Sequence, residues 1–236
     1  MRLSKEDILY EDQEIIVCHK TAGIATQTAR LGEPDMVSML KNYLKTDYIA
    51  VVHRLDQPVE GILVFAKTKK AAANLSSQNA GQTMNKQYYA AVWMPEEEAE
   101  TQKGVLVDYL LKDGKTNTSK VVNAQTPEAK RAELSYEIVK TQKLETDGKK
   151  ALVRIALKTG RHHQIRVQMA NAGMPLMGDA KYASEEFKAF SREQRIKNVA
   201  LCAYRLEFLH PMTGKRMEFQ AEPMGEAFRS FLPVNS

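Results

Sequence analysis

The sequence has little of what marks secreted, membrane-spanning or disulfide-stapled proteins. Only two of its 236 residues are cysteines, Cys18 and Cys202, and both lie in apolar, strand-like surroundings. It has no secretory signal, no apolar run long enough to cross a membrane and no Gly/Ser/Pro-rich linker. These absences favour buried thiols over a disulfide or metal site, a reduced cytoplasm as the location, and a single domain over residues 1–236.

The composition is that of a folded, basic protein. Apolar residues make up 43% of the chain, which is enough to fill a core, and charged residues make up 27%. The net charge of +5 and the pI near 9.0 suit a polyanionic partner such as RNA. Many basic proteins bind no polyanion, so the charge supports RNA as a partner without demonstrating it.

One stretch, Tyr48 to Lys67, combines two apolar runs with a short polar segment. The runs 49–52 and 62–66 have strand length, and the segment 57–61 between them carries the breakers of a turn. His53, Arg54 and Asp56 therefore follow a strand at the point where it leaves the core. A half-desolvated carboxylate there is either a nucleophile or half of a structural ion pair, and the residues alone favour the ion pair.

A second polar stretch, Leu157 to Arg166, is basic and follows a predicted strand. The pattern from Arg161 to Ala172 predicts a helix, with Gly173 as its cap. Arg161 at the start of that helix would make an anion site, because free backbone N–H groups and a guanidinium would point the same way. Ordinary hydrogen bonding is the simpler interpretation of His162 and His163.

The other segments predict an α+β fold with a mixed, largely antiparallel central sheet and flanking helices. Tyr88 and Tyr89 should face opposite sides of their strand. The acidic run 95–100 is assigned no function. Strands are predicted at 14–20, 86–94, 104–111, 119–123, 131–141, 151–157, 201–208 and 215–222, with a turn at Asp147-Gly148, and helices after Asp35, at 69–80 ending at Gly81, and at 226–232.

The two polar stretches together resemble the paired signatures of RluA-type RNA pseudouridine synthases. The matching residues are His53-Arg54-Leu55-Asp56 followed by Gly61, and Thr159 to Arg166. The resemblance extends from Ile16 to Lys215, almost the whole chain. Two departures stand out: Val59-Glu60 replaces the usual Thr-Ser, and Lys20-Thr21 replaces the usual Lys-Pro. Neither touches Asp56, so they bear on substrate preference more than on activity.

The resemblance implies isomerisation of specific uridines in ribosomal or transfer RNA, without a cofactor or a metal, by a protein that binds no membrane. We expect a monomer without a separate N-terminal RNA-binding domain. Asp56 would act at the ribose, by covalent attack or by proton removal, and Arg166 would pair with it and keep it ionised. The catalytic residues implied are Asp56, Tyr88, which stacks on the base, and Arg166, and the substrate-binding residues are His53, Arg54, Arg161, His163 and Gln164.

Two other functions fit some of the same residues. The first is an inactive RNA-binding protein on the same fold, for which Val59-Glu60 is the only hint. The second is a metal-dependent phosphoesterase with ligands drawn from His53, Asp56, His162 and His163. The metal site is the weaker alternative, because the histidines have no accompanying carboxylate or cysteine at a fixed spacing.

Overall fold

A computed structural model describes residues 3–28, 32–95, 103–144 and 148–231, which divide into two compact units. Unit 1 comprises Met1–Lys86 and Cys202–Pro223, and unit 2 comprises Gln87–Leu201 and Met224–Ser236. The expectation of a single domain stays a prediction.

The strands are β1 Ile8–Glu11, β2 Ile15–Lys20, β3 Ala50–Val51, β4 Glu60–Ala66, β5 Asn85–Met94, β6 Lys103–Asp113, β7 Thr118–Val122, β8 Lys130–Lys143, β9 Lys149–Leu157, β10 Leu201–Leu209 and β11 Arg216–Gln220. The helices are α1 Met36–Leu44, α2 Lys69–Ala80, α3 Gln164–Asn171 and α4 Glu185–Glu193, and short 3-10 helices span Lys5–Asp7 and Glu226–Phe228.

Unit 1 is built around β2 and β4, whose residues are all buried. They pair antiparallel, with Ile15 opposite Ala66 and Lys20 opposite Gly61. β1 extends the sheet beyond β2, while β3 and the parallel strand β10 share the other edge of β4, and β11 pairs with β10. One face of β2 and β4 packs against Ala71 and Leu75 of α2. Burial on both faces explains the continuous apolar runs 15–18 in β2 and 62–66 in β4.

The two helices of unit 1 have the caps that the sequence predicts. Asp35 accepts a hydrogen bond from the N–H of Ser38 at the start of α1. Thr68 accepts one from Ala71 at the start of α2, and Gly81 follows its last residue. The predicted bounds of α2 are confirmed.

Unit 2 is an antiparallel sheet in the order β5-β9-β8-β6-β7. Leu110, Ala132 and Val167 form a cluster that packs α3 against β6 and β8. Within the described residues, strands outnumber helices, most of the strand pairs are antiparallel, and β4 and β10 pair in parallel. The predicted α+β class with a mixed, largely antiparallel sheet is therefore confirmed.

Several local predictions are corrected. The strand predicted at 49–52 is only the two residues Ala50–Val51, β1 and α4 were not predicted, and the C-terminal helix is a single 3-10 turn. The helix predicted from Arg161 begins at Gln164, because His163 adopts a left-handed φ of 54° that a continuous helix does not allow. Asp147 of the predicted turn, residues 96–100 of the acidic run and Leu232 lie outside the described residues. No helix in the described ranges is long and apolar enough to cross a membrane.

Candidate active site

The segment that carries Asp56 runs between β3 and β4 and is held by its backbone. The hydroxyl of Thr26 donates to the carbonyl oxygen of Leu55 at 2.9 Å and accepts the N–H of Leu55 at 3.1 Å. The N–H of Val59 donates to the carbonyl oxygen of Asp56 at 3.0 Å, which closes the turn before β4. Asp56 lies five residues after the end of β3, and its side chain is half-buried.

The other two predicted residues of this segment differ in exposure. Arg54 is exposed, and its guanidinium donates to the side-chain oxygen of Gln27 at 2.7 Å. His53 is buried, and its Nε2 accepts the N–H of Val64 at 3.3 Å. Burial, together with the nearby charge of Lys86, lowers the pKa of His53 to about 3. His53 is therefore a neutral side chain that ties the segment to β4, and its predicted contact with RNA stays a prediction.

Lys20 supports the same segment from the end of β2. Its side chain is fully buried, and its ammonium group donates to the carbonyl oxygens of Ile24 at 2.6 Å, Thr21 at 3.1 Å and Gln57 at 3.2 Å. Burial lowers the pKa of Lys20 to about 8, while the carboxylates of Asp56 and Glu60 oppose that decrease. Lys20 thus places a cation within the electrostatic reach of Asp56.

The motif residues that follow Asp56 lie in the interior of unit 1. Val59 and Glu60 are buried, so the departure from the family pattern alters the surroundings of Lys20 and β10 rather than an exposed surface. Gly61 has a φ of 129°, and a Cβ at this position would lie 2.4 Å from the backbone nitrogen of Ala203. Only glycine lets β10 approach β4 this closely.

Tyr88 and Tyr89 occupy opposite faces of β5, as predicted. Tyr88 lies opposite the fully buried Ile155 and exposes 6% of its surface, whereas Tyr89 lies opposite the exposed Arg154. Tyr88 is thus a buried side chain. Its predicted stacking on a base stays a prediction.

In unit 2, the side chain of Gln164 holds the turn before α3. Its Oε1 accepts the hydroxyl of Thr159 at 2.8 Å and the N–H of Arg161 at 2.9 Å, and its Nε2 donates to the carbonyl oxygen of Glu133 at 3.1 Å. Arg161 is exposed, with its Nε donating to the carbonyl oxygen of Arg131 at 2.9 Å. Arg161 therefore lies three residues before the helix, so its predicted position at the helix start is wrong, and its contact with a phosphate stays a prediction.

Two stacked histidines connect this turn to β7 and to the loop after α3. The rings of His162 and His163 lie 3.8 Å apart. His162 Nδ1 lies 2.9 Å from the hydroxyl of Ser119, and His163 Nδ1 lies 2.6 Å from the hydroxyl of Tyr182, which also accepts the N–H of Ser119 at 2.9 Å. His163 is buried, and these contacts give it a structural role beside its predicted role in substrate binding.

Arg166 is buried on α3 and forms a two-pronged ion pair with Asp179. Its Nε donates to Oδ2 of Asp179 at 2.7 Å and its Nη2 donates to Oδ1 at 2.8 Å. The sequence did not predict this partner, although Asp179 lies within the range Ile16 to Lys215 over which the family resemblance extends. Asp56 and Arg166 belong to different units, and the pairing predicted between them stays a prediction.

Neither cysteine is suited to nucleophilic chemistry or to ligating a metal. Cys18 and Cys202 are both free and buried, and burial raises the pKa of each thiol well above its ordinary value. Across residues 3–28, 32–95, 103–144 and 148–231, no three His, Cys, Asp or Glu side chains are grouped to hold a metal ion.

Known proteins resemble this chain over most of its length. Residues 14–171 match the RNA pseudouridylate synthase family. The dual-specificity RNA pseudouridine synthase RluA of Escherichia coli K12 is 35% identical over 219 residues, covering 91% of each chain. RluA of Vibrio parahaemolyticus is 32% identical, covering 87% of this chain and 78% of the relative. The ribosomal large subunit pseudouridine synthase D of Zymomonas mobilis is 31% identical, covering 92% of this chain and 68% of the relative.

Two solved structures share the fold. Human RNA pseudouridylate synthase domain containing 1 superimposes with a TM-score of 0.74 at 19% identity, over 94% of this chain and 86% of that protein. Human RNA pseudouridylate synthase domain containing 4 superimposes with a TM-score of 0.69 at 22% identity, over 92% of this chain and 88% of that protein. The match over residues 14–171 and the 35% identity to the Escherichia coli relative show that the chain belongs to the RNA pseudouridylate synthase family.

Proposed function

We propose that this chain converts uridine to pseudouridine in ribosomal or transfer RNA, with Asp56 as the catalytic carboxylate. The observation that carries the proposal is the placement of Asp56: the family motif puts a half-buried carboxylate in a segment whose backbone is held by Thr26 and Lys20. A carboxylate on a fixed stretch of backbone, within the electrostatic reach of a buried cation, suits attack or proton removal at a ribose.

The reaction is an isomerisation within one nucleotide. The bond from C1′ to N1 breaks and a bond from C1′ to C5 forms, while C5 loses a proton and N1 gains one. No atom or electron leaves the RNA overall, so no cosubstrate is required. The target nucleotide must leave its stack, which costs a few kcal/mol in a duplex and less in a loop.

The other predicted residues divide into those that act on RNA and those that hold the site. Exposed Arg54 and Arg161 suit phosphate contacts, and Tyr88 and Arg166 are the further catalytic candidates. His53, His163 and Gln164 make hydrogen bonds within the protein, which suit positioning of the two polar segments. The reducing cytoplasm, where two buried thiols stay reduced, is the compartment we propose.

The choice between RNA classes rests on the relatives. The name of the Escherichia coli relative describes dual specificity, and that of the Zymomonas mobilis relative refers to the large ribosomal subunit. Both classes are therefore candidate substrates, and mapping of pseudouridine in total RNA from cells with and without the gene identifies the uridine. Loss of one or more pseudouridines that return with the wild-type gene but not with Asp56→Asn is the expected result. Unchanged maps, together with RNA binding by the purified protein, would favour the inactive RNA-binding alternative.

A further inference from the structure

We infer that Asp179 is a positioning residue for the reaction: it fixes the orientation of the Arg166 guanidinium through the two-pronged pair, with Tyr182 as a second support. The inference rests on the proposed function, in which Arg166 is catalytic. It adds two residues that follow α3 and that lie outside the two signature motifs.

The geometry of the pair leaves little freedom to the guanidinium. Asp179 receives both Nε and Nη2 of Arg166, and the two side chains expose only 1% and 4% of their surfaces. Oδ1 of Asp179 also accepts the backbone N–H groups of Lys181 at 2.9 Å and Tyr182 at 3.3 Å. The carboxylate is therefore fixed to its own loop before it fixes the arginine.

Tyr182 supports the arginine from a second direction. The guanidinium carbon of Arg166 lies 5.2 Å from the centre of the Tyr182 ring, which is a distance typical of a cation–π contact. The hydroxyl at the far end of that ring is bonded to the N–H of Ser119 and lies within hydrogen-bond distance of His163. The ring is thus held by β7 and by the turn before α3.

This arrangement determines which part of Arg166 acts on a reacting group. Asp179 engages the edge formed by Nε and Nη2, so the end that carries Nη1 points away from Asp179. A guanidinium that is already oriented before the substrate binds lowers the activation free energy, because it need not be reoriented during the reaction. A guanidinium that lost Asp179 would keep its charge but not this orientation.

The test compares single-turnover isomerisation and RNA affinity for variants of the full-length protein, with total RNA from cells lacking the gene as substrate. Asp179→Asn should lower the single-turnover rate at least tenfold while the Kd for RNA changes less than twofold. Asp179→Glu, which keeps the charge but lengthens the side chain, should also lower the rate. If Asp179→Asn does not fold, Asp179→Glu replaces it as the test variant. Glu207→Gln is the matched control, since buried Glu207 pairs with Arg205 and Arg216 in unit 1, outside the predicted site.

A double-mutant cycle separates positioning from general stabilisation. If Asp179 acts through Arg166, Asp179→Asn should not slow the Arg166→Met variant further, with all rates measured below the melting temperature of every variant. An unchanged rate in folded Asp179→Asn or Asp179→Glu, or equal slowing in both backgrounds, would overturn the inference and leave the proposed function standing. A wild-type protein that isomerises no uridine in this RNA would overturn the proposed function, and this inference with it.

Discussion

The segment that carries Asp56 and the turn that precedes Arg166 are held by different parts of the chain. In unit 1, Thr26 and Lys20, which lie outside the motif, bond to backbone oxygens of Leu55 and Gln57, and His53 is the motif side chain that accepts a hydrogen bond from β4. In unit 2, the supports are motif side chains themselves: Gln164, His163 and Arg166. Substitutions of Arg54 and Asp56 should therefore separate chemistry from stability, whereas substitutions of Gln164, His163 and Arg166 should affect both.

The largest expected effect tests the first half of this contrast. Asp56→Asn should lower the isomerisation rate by about 10³-fold or more, because it removes a nucleophilic or basic carboxylate and nearly keeps its shape. RNA affinity and the melting temperature should change little. Single-turnover assays, binding titrations and a thermal melt measure the three quantities. Turnover close to that of the wild type would refute the catalytic assignment.

The next largest expected effect is on the free energy of unfolding, and it differs between Gly61 in the first motif and Gly160 in the second. Gly61→Ala should lower the free energy of unfolding by about 3 kcal/mol or more, because the new Cβ would collide with the backbone of Ala203 at a φ that disfavours alanine. No atom lies within 4 Å of a Cβ built on Gly160, so Gly160→Ala should change stability by less than about 0.5 kcal/mol. Urea unfolding of both variants tests the contrast, which equal shifts would contradict.

The paired tyrosines of β5 distinguish base contact from packing. Tyr88→Ala should weaken RNA binding by about 1–3 kcal/mol if the ring stacks on the target base. Tyr88→Phe should keep binding and lose turnover if the hydroxyl takes part in proton transfer. Tyr89→Ala, on the opposite face, should act through stability alone. If Tyr88→Ala binds RNA as tightly as the wild type, Tyr88 is a packing residue only.

Lys20 makes the stability of unit 1 depend on pH, while Gln164, its counterpart in unit 2, does not titrate. The pKa of Lys20 is about 8 in the fold and is near 10.5 in the unfolded chain, so the unfolded state binds more protons between these values. The free energy of unfolding should therefore rise with pH across that window, by up to about 1.4 kcal/mol per pH unit, relative to Lys20→Met. Urea unfolding at pH 7.5, 8.5 and 9.5 measures this difference. If the difference in free energy of unfolding does not change with pH, the pKa of Lys20 is not lowered in the fold. Gln164→Met is the control, and its difference from the wild type should not change with pH.

The smallest expected effect concerns two exposed arginines, Arg54 in the first motif and Arg161 in the second. Arg54→Ala and Arg161→Ala should each reduce the slope of log association constant against log salt by about one, as expected for one lost phosphate contact. Buried Arg166→Ala should leave the slope almost unchanged and slow the chemical step. Exposed Arg192 on α4 supplies a control outside both motifs. If Arg166→Ala lowered the slope and Arg161→Ala slowed only chemistry, the two assignments would be reversed.

Local signals in the sequence were sufficient where an element depends on its own residues. Asp35 and Gly81 marked the ends of helices, and the runs of β2 and β4 marked central strands. α4 was missed although Ser184 caps it and two glutamates occupy its first turn, a pattern that could have identified it. The start of α3 was misplaced because the left-handed His163 and the side-chain bonds of Gln164 interrupt an otherwise helical pattern.

The sequence by itself determined the family and the fold class, because periodicity, caps and motif residues are local properties of the chain. The tertiary structure decided what supports the motif residues: Thr26 for Leu55, Lys20 for Gln57, and Asp179 for Arg166. It also decided that His53 is a neutral, buried acceptor. These facts depend on which residues distant in sequence meet in the core and on how far burial shifts their pKa values. A local sequence pattern specifies neither.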